Sequence, residues 1–253
     1  LMELKVIGTG SKGNAYLLKG QDQILILEAG VNIKKIKRAL GFDYSKVVGC
    51  IVTHEHQDHA SSVSELMKLG IDVYATKGTL SKCAVADNYR AHSIESKQEF
   101  SLGNFDILPF DVKHDAQEPV GFKIYHPECG HTLFITDTYY CRYKFRELNN
   151  IIIEANYDKS IINKKYGRDT ELYFLRNRIL QSHFSLDNTI NLLKANDLSR
   201  VNNIVLIHLS DSNSDEMMFL ERVEQATGKR VTIADNGLKM ELNKLGYYVT
   251  DEY

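Results

Sequence analysis

Val47-Val48-Gly49-Cys50-Ile51-Val52-Thr53-His54-Glu55-His56-Gln57-Asp58-His59 runs from an apolar strand pattern straight into three imidazoles and two carboxylates among six residues. No packing requirement produces that density of histidine, and the spacing reads as a metal site. Imidazole nitrogen and carboxylate oxygen suit zinc, manganese or iron rather than calcium. The H-E-x-x-H arrangement of zinc proteases is excluded, because the position four after His54 is Asp58. Period-two alternation at a strand end puts His54 and His56 on one side, and a tight loop brings Asp58 and His59 onto an adjacent position. One loop then serves two ions. A structural zinc is the competing reading, but such sites close all four positions, often with Cys, and Cys50, Cys83, Cys129 and Cys141 form no C-x-x-C pair.

Working outward, 253 residues with 43% hydrophobic content bury a real core, and no long linker divides the chain, so a single domain over 1–253 is expected. No apolar stretch reaches the roughly 18 residues of a membrane span, and the first residues lack a signal-peptide pattern. Four scattered cysteines fit a reducing, cytoplasmic location. A net charge of -2 argues against a surface that attracts nucleic acid everywhere, so a polyanion partner needs a local patch. Lys164, Lys165, Arg168 and Arg176, between Lys159 and Arg178 and opposed only by Asp169 and Glu171, supply one candidate. A solvated helix face explains such a run as well. Tyr157, Tyr166, Tyr173 and Phe174 interleave it, as stacking or as helix packing would.

The chain opens as strand, turn, strand, turn, strand to Leu27, with Gly10, Gly13 and Gly20 as breakers. A short basic helix comes next over Val31 to Leu40, and Ser62-x-x-Glu65 reads as a capping box for another. Later strands alternate with helices expected at Leu172–Leu180, Leu186–Ala195 and Asp215–Ala226. Meanders followed by alternation predict mixed sheets covered by helices, an α/β layered domain. His54, His114, Asp137, Glu154 and His208 each fall at or just beyond the end of an apolar strand, where rigid elements converge distant ligands. Gly8-Thr9-Gly10-Ser11-Lys12-Gly13 matches G-x-G-x-x-G, but Asn14 to Gly20 reads as a second strand and not as the helix that a dinucleotide site requires. These glycines are expected to let backbone approach the metal pocket closely.

On those residues the chain resembles the metallo-β-lactamase superfamily of metallohydrolases, with finer features similar to its YycJ/WalJ-like, exonuclease-like branch. His54, His56, Asp58 and His59 match the H-x-H-x-D-H signature, His114 the third motif, Asp137 the bridging acid and His208 the last ligand. Gly8 to Asn14, Glu154-Ala155-Asn156-Tyr157-Asp158 and Ser182-His183-Phe184-Ser185 carry the likeness to the branch, and the tRNA-processing ribonuclease Z group similarly places a His before a helix. The resemblance implies a four-layer αββα sandwich of two mixed β-sheets and two divalent ions, Zn2+ or Mn2+ with Fe and Ni as further candidates. Two departures stand out: Glu28 replaces the usual Asp, and Tyr139-Tyr140 replaces the small residue after Thr-Asp-Thr, shaping a substrate mouth.

The resemblance implies that His54, His56 and His114 hold one ion and Asp58, His59 and His208 the other, with Asp137 between. A hydroxide bridging the pair then attacks a phosphodiester, in the roughly 3.5–4 Å two-metal arrangement. His183 is the candidate proton donor or phosphate contact, with Asp58 also assigned to catalysis. Lys164, Lys165, Arg168 and Asn156 are expected to touch substrate, while Glu28 and Glu154 support the ligands from behind. The leading expectation is a metal-dependent nuclease, on DNA before RNA, with no membrane partner and a homo-oligomer left open. A small-molecule metallohydrolase cleaving a cyclic nucleotide, thioester or lactone is the second, and a metal-binding protein without turnover the third. Asp137 and His208 lie 71 positions apart, leaving little room for the nucleic-acid-clamping domain inserted there in larger nucleases.

Overall fold

A computed structural model of the chain describes residues 1–166 and 173–245. Its strands are β1 (Met2–Gly8), β2 (Ala15–Lys19), β3 (Ile24–Leu27), β4 (Val47–Ile51), β5 (Val73–Thr76), β6 (Ala91–Ile94), β7 (Phe100–Leu102), β8 (Phe105–Asp111), β9 (Val120–His126), β10 (Gly130–Ile135), β11 (Leu148–Glu154), β12 (Asn203–Ile207), β13 (Val231–Ile233) and β14 (Lys239–Leu242). The helices are α1 (Ile33–Ala39), α2 (Gln57–Ala60), α3 (Val63–Lys68), α4 (Lys77–Lys82), α5 (Lys159–Lys165), α6 (Tyr173–Ser182), α7 (Leu186–Lys194) and α8 (Glu216–Thr227).

Two seven-stranded sheets run β14-β1-β2-β3-β4-β5-β6 and β13-β12-β11-β10-β9-β8-β7. Each is antiparallel in one half and parallel in the other, the parallel halves being β3 to β6 and β10 to β13. Alternating side chains of β1 explain its placement: Met2, Leu4 and Val6 are fully buried and face the second sheet, where Phe105, Phe122, Phe134 and Ile152 meet them. In β11 and β12 every residue is buried, as expected of parallel strands covered on both faces. The outer face of the first sheet packs Leu17, Ile26 and Val73 against Ile36, Leu66 and Leu80 of the helices. The outer face of the second packs Ile151, Ile153 and Leu206 against Leu192, Phe219 and Val223. Helix, sheet, sheet, helix is the order of layers, the αββα sandwich expected.

Local differences have local causes. Ser62 does not cap α3 through its side chain; its hydroxyl donates to the Val31 carbonyl at 2.6 Å, tying the helix start to the first sheet. The His-rich loop folds residues 57–60 into one helical turn, α2. Leu172 and Arg168 lie outside the described residues, and α6 runs on to Ser182. No helix among the described residues is long and apolar enough to cross a membrane.

Candidate metal centre

Parallel register decides which residues meet. Ile135 pairs with Ile153, Glu154 with Ile207, and Leu27 with Ile51, so the chain leaves β3, β4, β10, β11 and β12 along one edge of the sandwich. Glu28, Asp137 and His208, each just past a strand end, have left-handed backbones with φ of 65, 45 and 55°. Such conformations are uncommon for residues with a Cβ and cluster at functional sites. The loops that converge there are drawn tightly together. A Cβ on Gly30 would overlap the Asp58 carbonyl, and one on Gly13 (φ +125°) would overlap the Gly30 carbonyl. The gap so closed is bridged by hydrogen bonds from Asn14 N–H to Asp58 O at 2.7 Å and from Ala29 N–H to His59 O at 2.8 Å. The Asn14 amide also lies 3.1 Å from His59 Nε2, a contact that sequence reasoning missed because only the fold brings position 14 to position 59.

Among the described residues two donor clusters face each other, His54, His56 and His114, and Asp58, His59, Asp137 and His208, and a third group, Asp137, Glu154, His183 and His208, overlaps the second, the ligand atoms of each lying within 4.8 Å of one another. Asp137 sits between the first two. Its Oδ2 is 3.9 Å from His54 Nε2, 3.7 Å from His114 Nε2 and 3.3 Å from His59 Nε2, and its Oδ1 is 3.7 Å from His208 Nδ1. Asp58 Oδ2 stands 3.5 Å from both His59 Nε2 and His208 Nε2. Lone pairs are presented inward. His114 Nδ1 donates to the Ser182 carbonyl at 2.8 Å, which leaves Nε2 as the lone-pair nitrogen, 3.1 Å from His56 Nδ1. His54 Nδ1 is paired with the Thr53 hydroxyl at 2.9 Å, while its fully buried Nε2 has no hydrogen-bond partner. A buried ring nitrogen without a partner, facing a carboxylate and further imidazoles, is what a cation ligand looks like without its cation. The donor set, imidazole and carboxylate without thiolate, fits a divalent transition metal.

The charge balance supports the same division. Burial, then the charge of His59, push His54 well down, and burial also lowers His114, which favours the neutral, lone-pair-donating form of both rings. In the other cluster burial opposes the charged forms, but Asp137 and Glu28 hold His59 well above the usual histidine range. Against the same burial, Asp137 with Asp58 and Glu154 raises His208 to about 10. Asp137 itself, despite burial, is held well below the usual carboxylate range by His208, His59 and His183.

Glu154 is the hub behind the centre. Fully buried at the end of β11, its Oε1 accepts from His183 Nδ1 at 2.6 Å and lies 3.1 Å from His208 Nδ1. Its Oε2 accepts the N–H groups of Phe184 at 3.0 Å and Thr138 at 3.2 Å. Glu28, buried on the opposite side, accepts Thr53 N–H at 3.3 Å and stands 3.6 Å from His59 Nδ1. The Asn156 amide donates to the His208 carbonyl at 2.9 Å, so this residue, expected to touch substrate, lines the cleft chiefly as a brace for His208. His183 is one-fifth exposed, stacked on His208 with centroids 5.3 Å apart, and burial notwithstanding, Glu154 and Asp137 raise its pKa. A cleft of about 400 Å³ opens over His56, Asp58, Asp137 and His183, walled by Tyr166, Arg178 and Ile179. Lys164 and Lys165 ride on the exposed last turn of α5 and do not line it, with Lys165 directed to the Ser212 carbonyl. Among the described residues the Lys or Arg that lines it is Arg178, 3.5 Å from Asp115.

Comparisons with known proteins point the same way. The chain is 28% identical over 237 residues to the exodeoxyribonuclease WalJ of Streptococcus pneumoniae, covering 87% of this chain and 86% of that protein. It is 26% identical over 264 residues to the exodeoxyribonuclease YycJ of Bacillus anthracis, covering 94% and 97%. The metallo-β-lactamase fold protein YhfI from Bacillus subtilis superposes with a TM-score of 0.70 at 16% identity, covering 95% of this chain and all of that one. Human tRNase Z, short form, superposes at 0.63 and 16%, covering 95% and 99%. A family model for the beta-lactamase superfamily domain matches residues 27–209, and the chain belongs to that family, with the metallo-β-lactamase fold.

Proposed function

We propose that this protein is a metal-dependent nuclease, exonuclease-like and acting on DNA in the cytoplasm, with residues 1–253 forming one domain. The carrying observation is Asp137, whose carboxylate lies within 4 Å of imidazole nitrogens from both donor clusters. Similarity to two exodeoxyribonucleases over most of the chain supports the substrate class. His54, His56 and His114 would hold one divalent ion, Zn2+ or Mn2+, and Asp58, His59 and His208 the second, with Asp137 shared. Such a pair, when bound, lowers the pKa of water and neutralises charge growing on phosphate oxygens.

The chain's own groups do the rest. His183, held by Glu154 with its other ring nitrogen toward the cleft, gives a proton to the departing sugar oxygen, which is costly to release as an alkoxide. Glu154 orients that imidazole and favours its charged form, and Asn156 fixes the backbone of His208. Arg178, on the cleft wall, meets a phosphate by exchanging its Asp115 partner for it.

The test is metal analysis together with end-labelled DNA, RNA and a cyclic dinucleotide as substrates, alongside His56→Ala and Asp137→Asn. Cleavage of DNA that both substitutions abolish by more than a hundredfold supports the proposal. Turnover of the small diester alone would replace it with a small-molecule hydrolase, and bound metal without any turnover with a binding protein.

A further inference from the structure

Two residues beyond Asp137 the chain enters a second groove, of about 350 Å³, between residues 139–144 and α7. It shares a wall with the metal cleft: Asp137 and His183 line the cleft, whereas Tyr139 and Phe184 line the groove. The backbone of that wall is fixed. Tyr139 N–H donates to Lys113 O at 3.0 Å, the Asn188 amide donates to Tyr139 O at 3.0 Å, and the Thr138 hydroxyl donates to Tyr140 O at 2.8 Å. The side chains it carries are open to solvent. Tyr139 is 40% and Tyr140 56% exposed, and among the described residues neither side chain has a hydrogen bond, a stacked ring or a cation on its face. Lys113 and Lys144 are exposed beside them and make no ion pair among the described residues, while Arg142 is held by Asp111 at 2.5 Å.

A single exposed aromatic needs no explanation. Two in succession, on a rigid backbone next to the central carboxylate and flanked by unpaired cations, match the chemistry that binds unpaired bases: π-faces for stacking and positive charge for the backbone. We propose that this groove is a stacking subsite for unpaired bases of the DNA strand whose phosphodiester lies at the metal centre. Tyr139 and Tyr140 supply the ring faces, and Lys113 and Lys144 meet the neighbouring phosphates. The inference rests on the nuclease reading above and deepens it, since paired bases cannot offer their faces and the groove therefore selects single-stranded or frayed ends.

The experiment compares Tyr139→Ala/Tyr140→Ala, Tyr139→Phe/Tyr140→Phe and Lys113→Ala/Lys144→Ala with the unaltered protein. It measures binding to fluorescent oligothymidylate and to a blunt duplex, and turnover of bis(p-nitrophenyl) phosphate, which is too small to span both clefts. The double Ala variant is expected to lose roughly 5- to 150-fold in oligothymidylate affinity per ring that stacks. That loss should exceed any loss on the small diester at least tenfold, with the double Phe variant near the unaltered protein. The Lys variant should flatten the salt dependence of single-strand binding by about 0.7 per lost phosphate contact. Oligothymidylate binding unaffected in the double Ala variant overturns the subsite while leaving the nuclease reading intact. Equal losses on both substrates, or no rescue by Phe, also overturn it, because the rings would then be supporting Asp137. An unaltered protein that binds no oligonucleotide sinks both readings together.

Discussion

Replacing Glu154 with Gln tests the proton-donor arrangement with almost no change of shape. The carboxylate serves four partners, the His183 and His208 ring nitrogens on one oxygen and two backbone N–H groups on the other. An amide retains one acceptor oxygen, so one pair loses its acceptor and faces an NH2 instead. If the oxygen stays with the backbone N–H groups, His183 loses a charge-assisted bond of the kind worth about 1.5–3 kcal/mol. It also loses the adjacent negative charge that does most to hold its pKa up against burial. Burial then favours the neutral ring, whose N–H is too weak an acid to protonate the leaving oxygen, and kcat on DNA is expected to fall roughly 10²–10⁴-fold. Activity that needs protonated His183 declines as pH rises through its pKa, so lowering that pKa moves the alkaline limb to lower pH. Nitrophenolate leaves without a proton, so turnover of bis(p-nitrophenyl) phosphate should fall much less. The assay is kcat against pH on both substrates, with metal content measured because His208 shares the same oxygen. A Glu154→Gln protein that keeps its metal and retains kcat on DNA within threefold, with an unmoved alkaline limb, refutes the assignment.

Metal uptake should release protons and tighten as pH rises. In the metal-free site His208 titrates near 10 and His59 well above its ordinary value, so both are charged at pH 7 and must deprotonate to coordinate; calorimetry in buffers of different ionisation enthalpy that finds no proton release contradicts this. Gly30→Ala should leave little folded protein, because its Cβ would overlap the Asp58 carbonyl, a backbone atom that cannot swing aside; a melting temperature within a few degrees of the unaltered protein counts against that packing. Glu28→Ala should weaken metal binding roughly 10–100-fold by freeing Thr53 and the His59 ring, and chelator competition showing unaltered affinity removes Glu28 from the support of the site.

Much of this arrangement was legible because metal ligation is carried by residue type and spacing, and period-two apolar runs mark the strands that deliver it. His54 to His59 declared a site, and the strand ends before His114, Asp137, Glu154 and His208 suggested where partners would come from. Contacts that depend on through-space closure were not legible. Nothing local says that the Asn14 amide meets His59, that the Ser182 carbonyl fixes the His114 tautomer, or that Glu154 accepts four hydrogen bonds. Ser62 shows the limit of a local motif, since its capping pattern was overridden by a carbonyl 31 positions earlier that the fold places within reach. Basic residues are the least legible of all. Lys164 and Lys165 fall in a charge run yet do not line the cleft, whereas Arg178 lines it and Lys113 borders its neighbour.

The strained residues bear on whether metal makes this site or finds it. Left-handed backbones at Glu28, Asp137 and His208 cost on the order of 1–3 kcal/mol each, and they persist only if surrounding contacts fix them. Those contacts are on the protein side. The Thr9 hydroxyl accepts His208 N–H at 2.9 Å while Asn156 donates to the His208 carbonyl; Glu154 accepts Thr138 N–H beside Asp137; and Ile51 accepts Glu28 N–H at 2.9 Å. Strands β3 and β12 behind Glu28 and His208 are buried throughout, and β10 behind Asp137 is buried at all but one residue, so the loops start from rigid ends. The ligand geometry is therefore imposed by β-sheet register and buried hydrogen bonds rather than by a cation. A cation displaces mainly the protons on His59 and His208, and metal binding here should be coupled to proton release far more than to folding.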